Sequence, residues 1–167
     1  VVGTQMSNLG LENALHDLGV SLHRTKVGDR YVMEALQQLG LTLGGEGSGH
    51  LICLDRTTTG DGIVSSLQVL AAMIGSDCSL AELKQGMQKY PQVMVNVPIS
   101  RQQVWSSNPR IAKFVEEAER AMKGRGRVLL RASGTEPVVR VMVEGEDHLL
   151  VEALANQLAG AVKEVLG

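Results

Sequence analysis

A chain of 167 residues, 44% apolar but only 2% aromatic, can fill one ordinary domain or two small ones with a core of Val, Leu, Ile, Met and Ala. Its formal net charge of −2 comes from scattered acids and bases. With no basic stripe and no aromatic stacking platform, a nucleic-acid partner is not expected.

Cys53 and Cys78 are far apart, form no C-x-x-C pair, and show no zinc spacing with the four histidines. Both read as small buried hydrophobes, and two thiols cannot make a disulfide framework, so a reducing cytoplasm is the default. No signal peptide or twenty-residue apolar run is present, so no membrane contact is expected. The chain opens on Val1-Val2-Gly3, within a predicted strand, which implies a fragment of something longer.

Taken in order, Val1–Met6 predicts a buried strand. Leu9–Leu18 has helical spacing at Leu11, Ala14, Leu15 and Leu18 and stops at Gly19. Val20–Thr25 predicts a short strand. Lys26-Val27-Gly28-Asp29 predicts a loop, with Asp29 capping a helix over Arg30–Leu39 that buries Val32, Ala35, Leu36 and Leu39. This rhythm implies an α/β/α layered domain.

Leu41–Leu43 and His50–Leu54 are extended runs around Gly44-Gly45-Glu46-Gly47-Ser48-Gly49-His50. Glu46, Ser48 and His50 alternate with glycine, so an extended loop would set all three on one side. An acceptor, a hydroxyl and an imidazole on one surface suit a polyhydroxy ligand; the alternative is a glycine-rich turn with exposed polar side chains. Thr57–Thr59 offer caps for a helix Asp61–Ile74 with an apolar stripe at Ile63, Leu67, Leu70 and Ile74. A shorter helix over Leu80–Met87 precedes Pro91. The expected division is residues 1–90 and 91–167.

The second unit opens with Val93, Val95, Val97 and Ile99 alternating against Met94, Asn96 and Pro98, a half-buried strand that Pro98 marks as an edge or an end. Asn108 and Pro109 read as N-cap and first residue of a helix to Met122, burying Ile111, Phe114, Val115, Ala118 and Met122. Arg127–Ala132 and Val138–Glu144 read as paired strands, and Asp147 caps a last helix to about Leu166, with Leu150, Leu154, Leu158 and Val165 inward. The order β-α-β-β-α implies a smaller α+β domain with its helices on one face of a β-sheet. Trp105, His16, His23 and His148 read as packing or surface residues.

Between the paired strands lies Ser133-Gly134-Thr135-Glu136-Pro137, flanked by Arg131 and Arg140. Hydroxyl and backbone N–H donors between two guanidinium forks suit a dianionic phosphate. A polar hairpin tip with two surface arginines is the equally simple alternative.

The stretch R-A-S-G-T-E-P-V-V-R-V-M-V-E-G resembles the phosphate-binding loop of the α-D-phosphohexomutase superfamily. Gly45-Glu46-Gly47-Ser48-Gly49-His50 resembles that superfamily's sugar-binding loop, G-E-x-S-G-H, and lies one domain earlier, in the family's order. Val1–Asn8 and Lys26–Val32 extend the similarity, in particular to the bacterial phosphoglucosamine mutase branch. Gly47 departs from the longer polar residue expected there, which bears on sugar choice.

The resemblance implies the third and fourth of four domains. It implies interconversion of glucosamine 6-phosphate and glucosamine 1-phosphate through a phosphoserine and a 1,6-bisphosphate. By the same resemblance Glu46, Ser48 and His50 hold the sugar. Arg131, Ser133, Gly134, Thr135 and Arg140 hold the phosphate not being transferred, and Lys26 and Asp29 are weaker candidates. His50 could also pass a proton. Neither the nucleophilic serine setting nor the D-G-D-x-D-R metal loop is found here, so Mg²⁺ would be held outside these residues. The missing N-terminal domains would be partners, and the chain alone would be inactive. A phosphomannomutase or phosphoglucomutase fragment, or a non-catalytic phosphosugar-binding module, are the alternatives.

Overall fold

The computed structural model describes residues 1–99, 108–134 and 136–166. They form two compact units, Val1–Lys89 and Tyr90–Gly167. Trp105 and Thr135 lie outside the described residues.

In the first unit the sequence runs β1 (Val2–Thr4), α1 (Leu9–Asp17), β2 (His23–Thr25), α2 (Asp29–Leu39), β3 (Leu43–Gly45), β4 (Leu51–Cys53), α3 (Gly62–Ser76) and α4 (Leu80–Leu83), then a 3-10 turn at Lys84–Gly86. The sheet order is β2-β1-β3-β4, with β1 parallel to both neighbours and β3–β4 an antiparallel hairpin. Both strand 2 and the last helix are shorter than their apolar runs predict.

Helix α2 is amphipathic, and its Val32 and Leu36 are fully buried with Val2 and Ile52. Gly44 sits under it: a Cβ there would press on Val32, Leu36 and the Val2 carbonyl. The sheet therefore turns Val2, Gly44 and Ile52 toward α2 and the alternate residues away.

Several sequence expectations about packing and capping fail in this unit. Leu39 is 50% exposed, because the helix ends on Gly40 in the left-handed region before its last turn reaches the core. The cap of α3 is Asp61, whose carboxylate accepts from the N–H groups of Ile63 and Val64; the threonines play no part in it. The stripe Ile63, Leu67, Leu70 and Ile74 is exposed, between 51% and 82%. Helical spacing identifies an apolar face; it does not say what covers it. Cys53 is buried, whereas Cys78 is only partly so.

The second unit is β5 (Gln92–Pro98), α5 (Pro109–Met122), β6 (Gly126–Ala132), β7 (Val138–Gly145) and α6 (His148–Leu166), with antiparallel sheet order β5-β7-β6. Asn108 caps α5 by accepting from the Arg110 N–H, and Asp147 caps α6 by accepting from Leu149 and Leu150. Both helices pack on the sheet face formed by Val93, Val95, Val97, Val128, Leu130, Val139, Val141 and Val143. Period-2 geometry sends the even-numbered residues of β5 and β7 to the opposite face. That face carries the polar rows.

Candidate functional site

The ladder between β6 and β7 places Arg131 directly opposite Arg140, one pair in from the Ala132–Val139 pair that closes the hairpin. Directly opposed like charges repel. Burial first, and the Arg140 charge second, hold the Arg131 guanidinium below the usual arginine value. The buried Nε atoms of both arginines have no hydrogen-bond partner among the described residues. Leaving a buried donor unmatched costs about 1–3 kcal/mol, and more for a charged group.

Arg140 also donates to Ser133 Oγ at 3.4 Å and to Glu136 Oε2 at 3.3 Å. Ser133 Oγ in turn accepts from the Glu136 N–H, and the Ser133 N–H donates to the Val138 carbonyl. Gly134 is exposed at the tip, with open space where a Cβ would stand. The hairpin thus brings Arg131, Ser133, Gly134 and Arg140 together. Glu136, not singled out among the candidates, is a partial counter-charge to Arg140.

The first unit's loop is not extended. The Gly49 N–H donates to the Glu46 carbonyl at 3.1 Å, and the Glu46 N–H to the His50 carbonyl at 2.9 Å, so residues 46–50 make a tight turn. This overturns the alternation that would align Glu46, Ser48 and His50. Ser48 stands exposed at the turn, while Glu46 and His50 sit partly buried at its base.

Glu46 Oε1 accepts from the Gly28 N–H at 2.8 Å. Gly28, at φ 133° ψ 133°, is the N-cap of α2, a conformation that favours glycine. Asp29 is therefore the first helical residue, not the cap; its Oδ1 accepts from the Arg30 N–H. Its other oxygen lies 3.8 Å from His50 Nε2. A Cβ on Gly60 would overlap the His50 ring, so the imidazole lies against that glycine as well. Lys26 Nζ lies 5.9 Å from the Tyr31 ring centroid. The loops 26–29 and 46–50 are thus one structure, at the carboxyl ends of β2 and β3, the two neighbours of β1. There the chain crosses from β2 to β3, the switch point where α/β sheets take ligands.

Residues 1–90 match the model for the phosphoglucomutase/phosphomannomutase alpha/beta/alpha domain III, and residues 94–161 that for the phosphoglucomutase/phosphomannomutase C-terminal domain. The chain belongs to the phosphoglucomutase/phosphomannomutase family. It is 62% identical over 164 residues to a phosphoglucosamine mutase of Alkalilimnicola ehrlichii, covering 98% of this chain and 36% of that protein. It is 60% identical over 167 residues to that of Nitrosococcus oceani, covering 100% and 37%. The chain therefore spans little more than a third of the length of these relatives. Among solved structures, the Aspergillus fumigatus N-acetylphosphoglucosamine mutase in complex with GlcNAc-6P and magnesium has a similar fold. Its TM-score is 0.83 at 20% identity, over 99% of this chain and 39% of that one.

A phosphohexomutase that uses Mg²⁺ would need a cluster of oxygen ligands. Among the described residues no three His, Cys, Asp or Glu side chains group to hold a metal ion. No step through a metal is assigned to this chain. Among the described residues no single helix is long and apolar enough to cross a membrane.

Two other features of this family member escaped the sequence reading. Arg24 donates to Glu12 at 2.7 Å and to the carbonyls of Thr4 and Ser7, tying the loop after β1 to α1 and β2. Its partners lie 12 to 20 residues away, which no local pattern reveals. The sheet face away from α2 lines a groove of about 460 Å³ with Leu11, Leu15, Leu22, Leu43, Leu51 and Met87. The groove is mainly apolar, with Ser7, Asn8, Glu46 and Lys89 also in its lining.

Proposed function

We propose that these residues supply the sugar and phosphate grips of a phosphoglucosamine mutase, a cytoplasmic enzyme interconverting glucosamine 6-phosphate and glucosamine 1-phosphate. In this reading a phosphoserine on domains outside the chain gives its phosphoryl group to the substrate. The 1,6-bisphosphate then turns over and returns the other phosphate to the serine. Mg²⁺ belongs to those other domains, and the chain alone does not turn over substrate.

Phosphoryl transfer depends on positioning and charge stabilisation, so the phosphate that stays on the sugar needs a fixed anchor. The opposed pair Arg131–Arg140 carries this reading. Two buried Nε–H donors without partners are satisfied by one dianion that also relieves the repulsion between the guanidiniums. Ser133, Gly134 and Thr135 complete the anchor. Glu46, with one oxygen held by Gly28, keeps the other for a sugar hydroxyl. His50 sits with it at the base of the turn, Ser48 is offered from the exposed part of the same turn, and Lys26 and Asp29 form the neighbouring rim.

Titration of the chain with glucosamine 6-phosphate, followed by NMR amide shifts, tests the anchor. Gly134 and the Arg131 and Arg140 Nε–H signals are expected to move. Arg131→Ala should weaken binding by about 1.5–3 kcal/mol, tenfold or more. Unchanged affinity in that variant would refute the anchor. Gly47, with open space where a side chain would stand, keeps a phosphomannomutase or phosphoglucomutase reading alive. A preference of the full-length protein for mannose or glucose phosphate over glucosamine phosphate would decide for it.

A further inference from the structure

The polar face of the second unit's sheet is built in rows. In one row Gln92, Glu144 and Arg127 stand side by side on β5, β7 and β6. Glu144, wholly buried, accepts from Gln92 Nε2 at 3.2 Å and from Arg127 Nε at 2.7 Å. Side chains in one register on this sheet therefore reach one another across all three strands. The next row is apolar: Met94, Met142 and Leu129. The row after it is Asn96, Arg140 and Arg131.

The two polar rows share a plan with one difference. The first has a neutral carboxamide, a carboxylate and a guanidinium, and its central anion is matched on both sides. The second has a carboxamide and two guanidiniums, and both buried Nε atoms lack an acceptor among the described residues. A bound anion supplies in the second row what Glu144 supplies in the first. The carboxamide then falls to it as Gln92 falls to Glu144.

We infer that Asn96 is a third ligand of the anion held by Arg131 and Arg140, its side-chain amide donating to an oxygen of the bound phosphate. This rests on the row being an anion site. Asn96 is exposed on an edge strand, so its amide is available and its replacement leaves the core of the unit intact. An amide donor to a charged oxygen is stronger than a neutral pair. It also adds direction from β5, on the side of the site away from the hairpin tip.

Inorganic phosphate is the probe, titrated into the 167-residue chain and followed by the Arg Nε–H and Gly134 amide signals. Asn96→Ala should weaken binding about tenfold. Asn96→Asp should weaken it further, because the new carboxylate repels the anion and takes up Arg140. Ala112→Asp, which adds the same charge on exposed α5 across the sheet, should change affinity less than about twofold at ordinary salt. Wild-type affinity in Asn96→Ala, with binding lost in Arg131→Ala, would overturn the role of Asn96 and leave the anchor standing. Equal weakening by Asn96→Asp and Ala112→Asp would also overturn it, reducing the effect to net charge. Unchanged binding in Arg131→Ala would overturn both.

Discussion

Arg131 is an arginine with two penalties, burial and a like charge opposite, and both hold its guanidinium below the ordinary value. For a base, a lowered folded-state value means that the charged form is less welcome folded than unfolded. That cost is present wherever arginine is charged, and fades only as pH rises through the arginine range. It should therefore add no pH dependence to stability near neutrality. The pH dependence belongs to the ligand, because a phosphate monoester takes its second charge near pH 6. Affinity for glucosamine 6-phosphate should rise between about pH 5 and pH 7.5 and then level off. Titrations at the two ends check this, and equal affinity at both would mean that the arginine pair does not select the dianion. The facing of Arg131 and Arg140 was legible in the sequence because two paired strands and the short loop between them are local. Glu46 was legible as a candidate. Its bond to Gly28, 18 residues away, was not, nor was the turn that removes Ser48 from its side. Period-2 alternation presumes an extended chain, and four glycines in seven residues allow a turn just as well.

At the scale of elements, α2 and α3 each carry an apolar stripe at helical spacing, and the two stripes have opposite fates. Helix α2 lies over Gly44, where the absent side chain lets Val32 and Leu36 press onto the sheet. Helix α3 has no buried residue among those described and exposes Ile63, Leu67, Leu70 and Ile74. The sequence showed where both helices begin and end to within a residue or two, because caps and glycines act locally. It could not rank the two apolar faces, since burial depends on what the sheet presents. Leu36→Ala should cost about 2–5 kcal/mol, the usual range for emptying a packed leucine site. Leu67→Glu, at a position 55% exposed, should stay within about 0.5 kcal/mol. Denaturant midpoints of the two variants decide it: a large loss in Leu67→Glu would show that α3 is covered in solution.

The two units differ most when each is taken whole. The second has a continuous core from β5 through β7 and both helices, from Val97 and Ile111 to Val162 and Leu166. The first gathers only Val2, Val32, Leu36 and Ile52 into its fully buried cluster. The exposed large hydrophobics follow the reverse pattern. Among the described residues the second unit exposes Met94 and Leu149, while the first exposes Leu18, Leu39, Leu43, Leu51, Ile63, Leu67, Leu70, Ile74, Leu80 and others. Apolar surface removed from water stabilises at about 25 cal/mol per Å², so the unit that buries less of it should be the weaker. The order should be visible because each unit has a core of its own, and a chain of two cores need not melt in one step. Denaturation of the chain should show two transitions. Amide signals of residues 1–89 should vanish first, and those of β6, β7 and α6 should persist to higher denaturant. A hydrophobic dye should bind before the second transition, on the first unit's apolar groove and α3. Glucosamine 6-phosphate should move the second transition upward, since a ligand of the hairpin stabilises the unit that holds it. One coincident transition for both sets of amides would show instead that the units stand or fall together. Loss of the hairpin signals first would reverse the ranking of their cores.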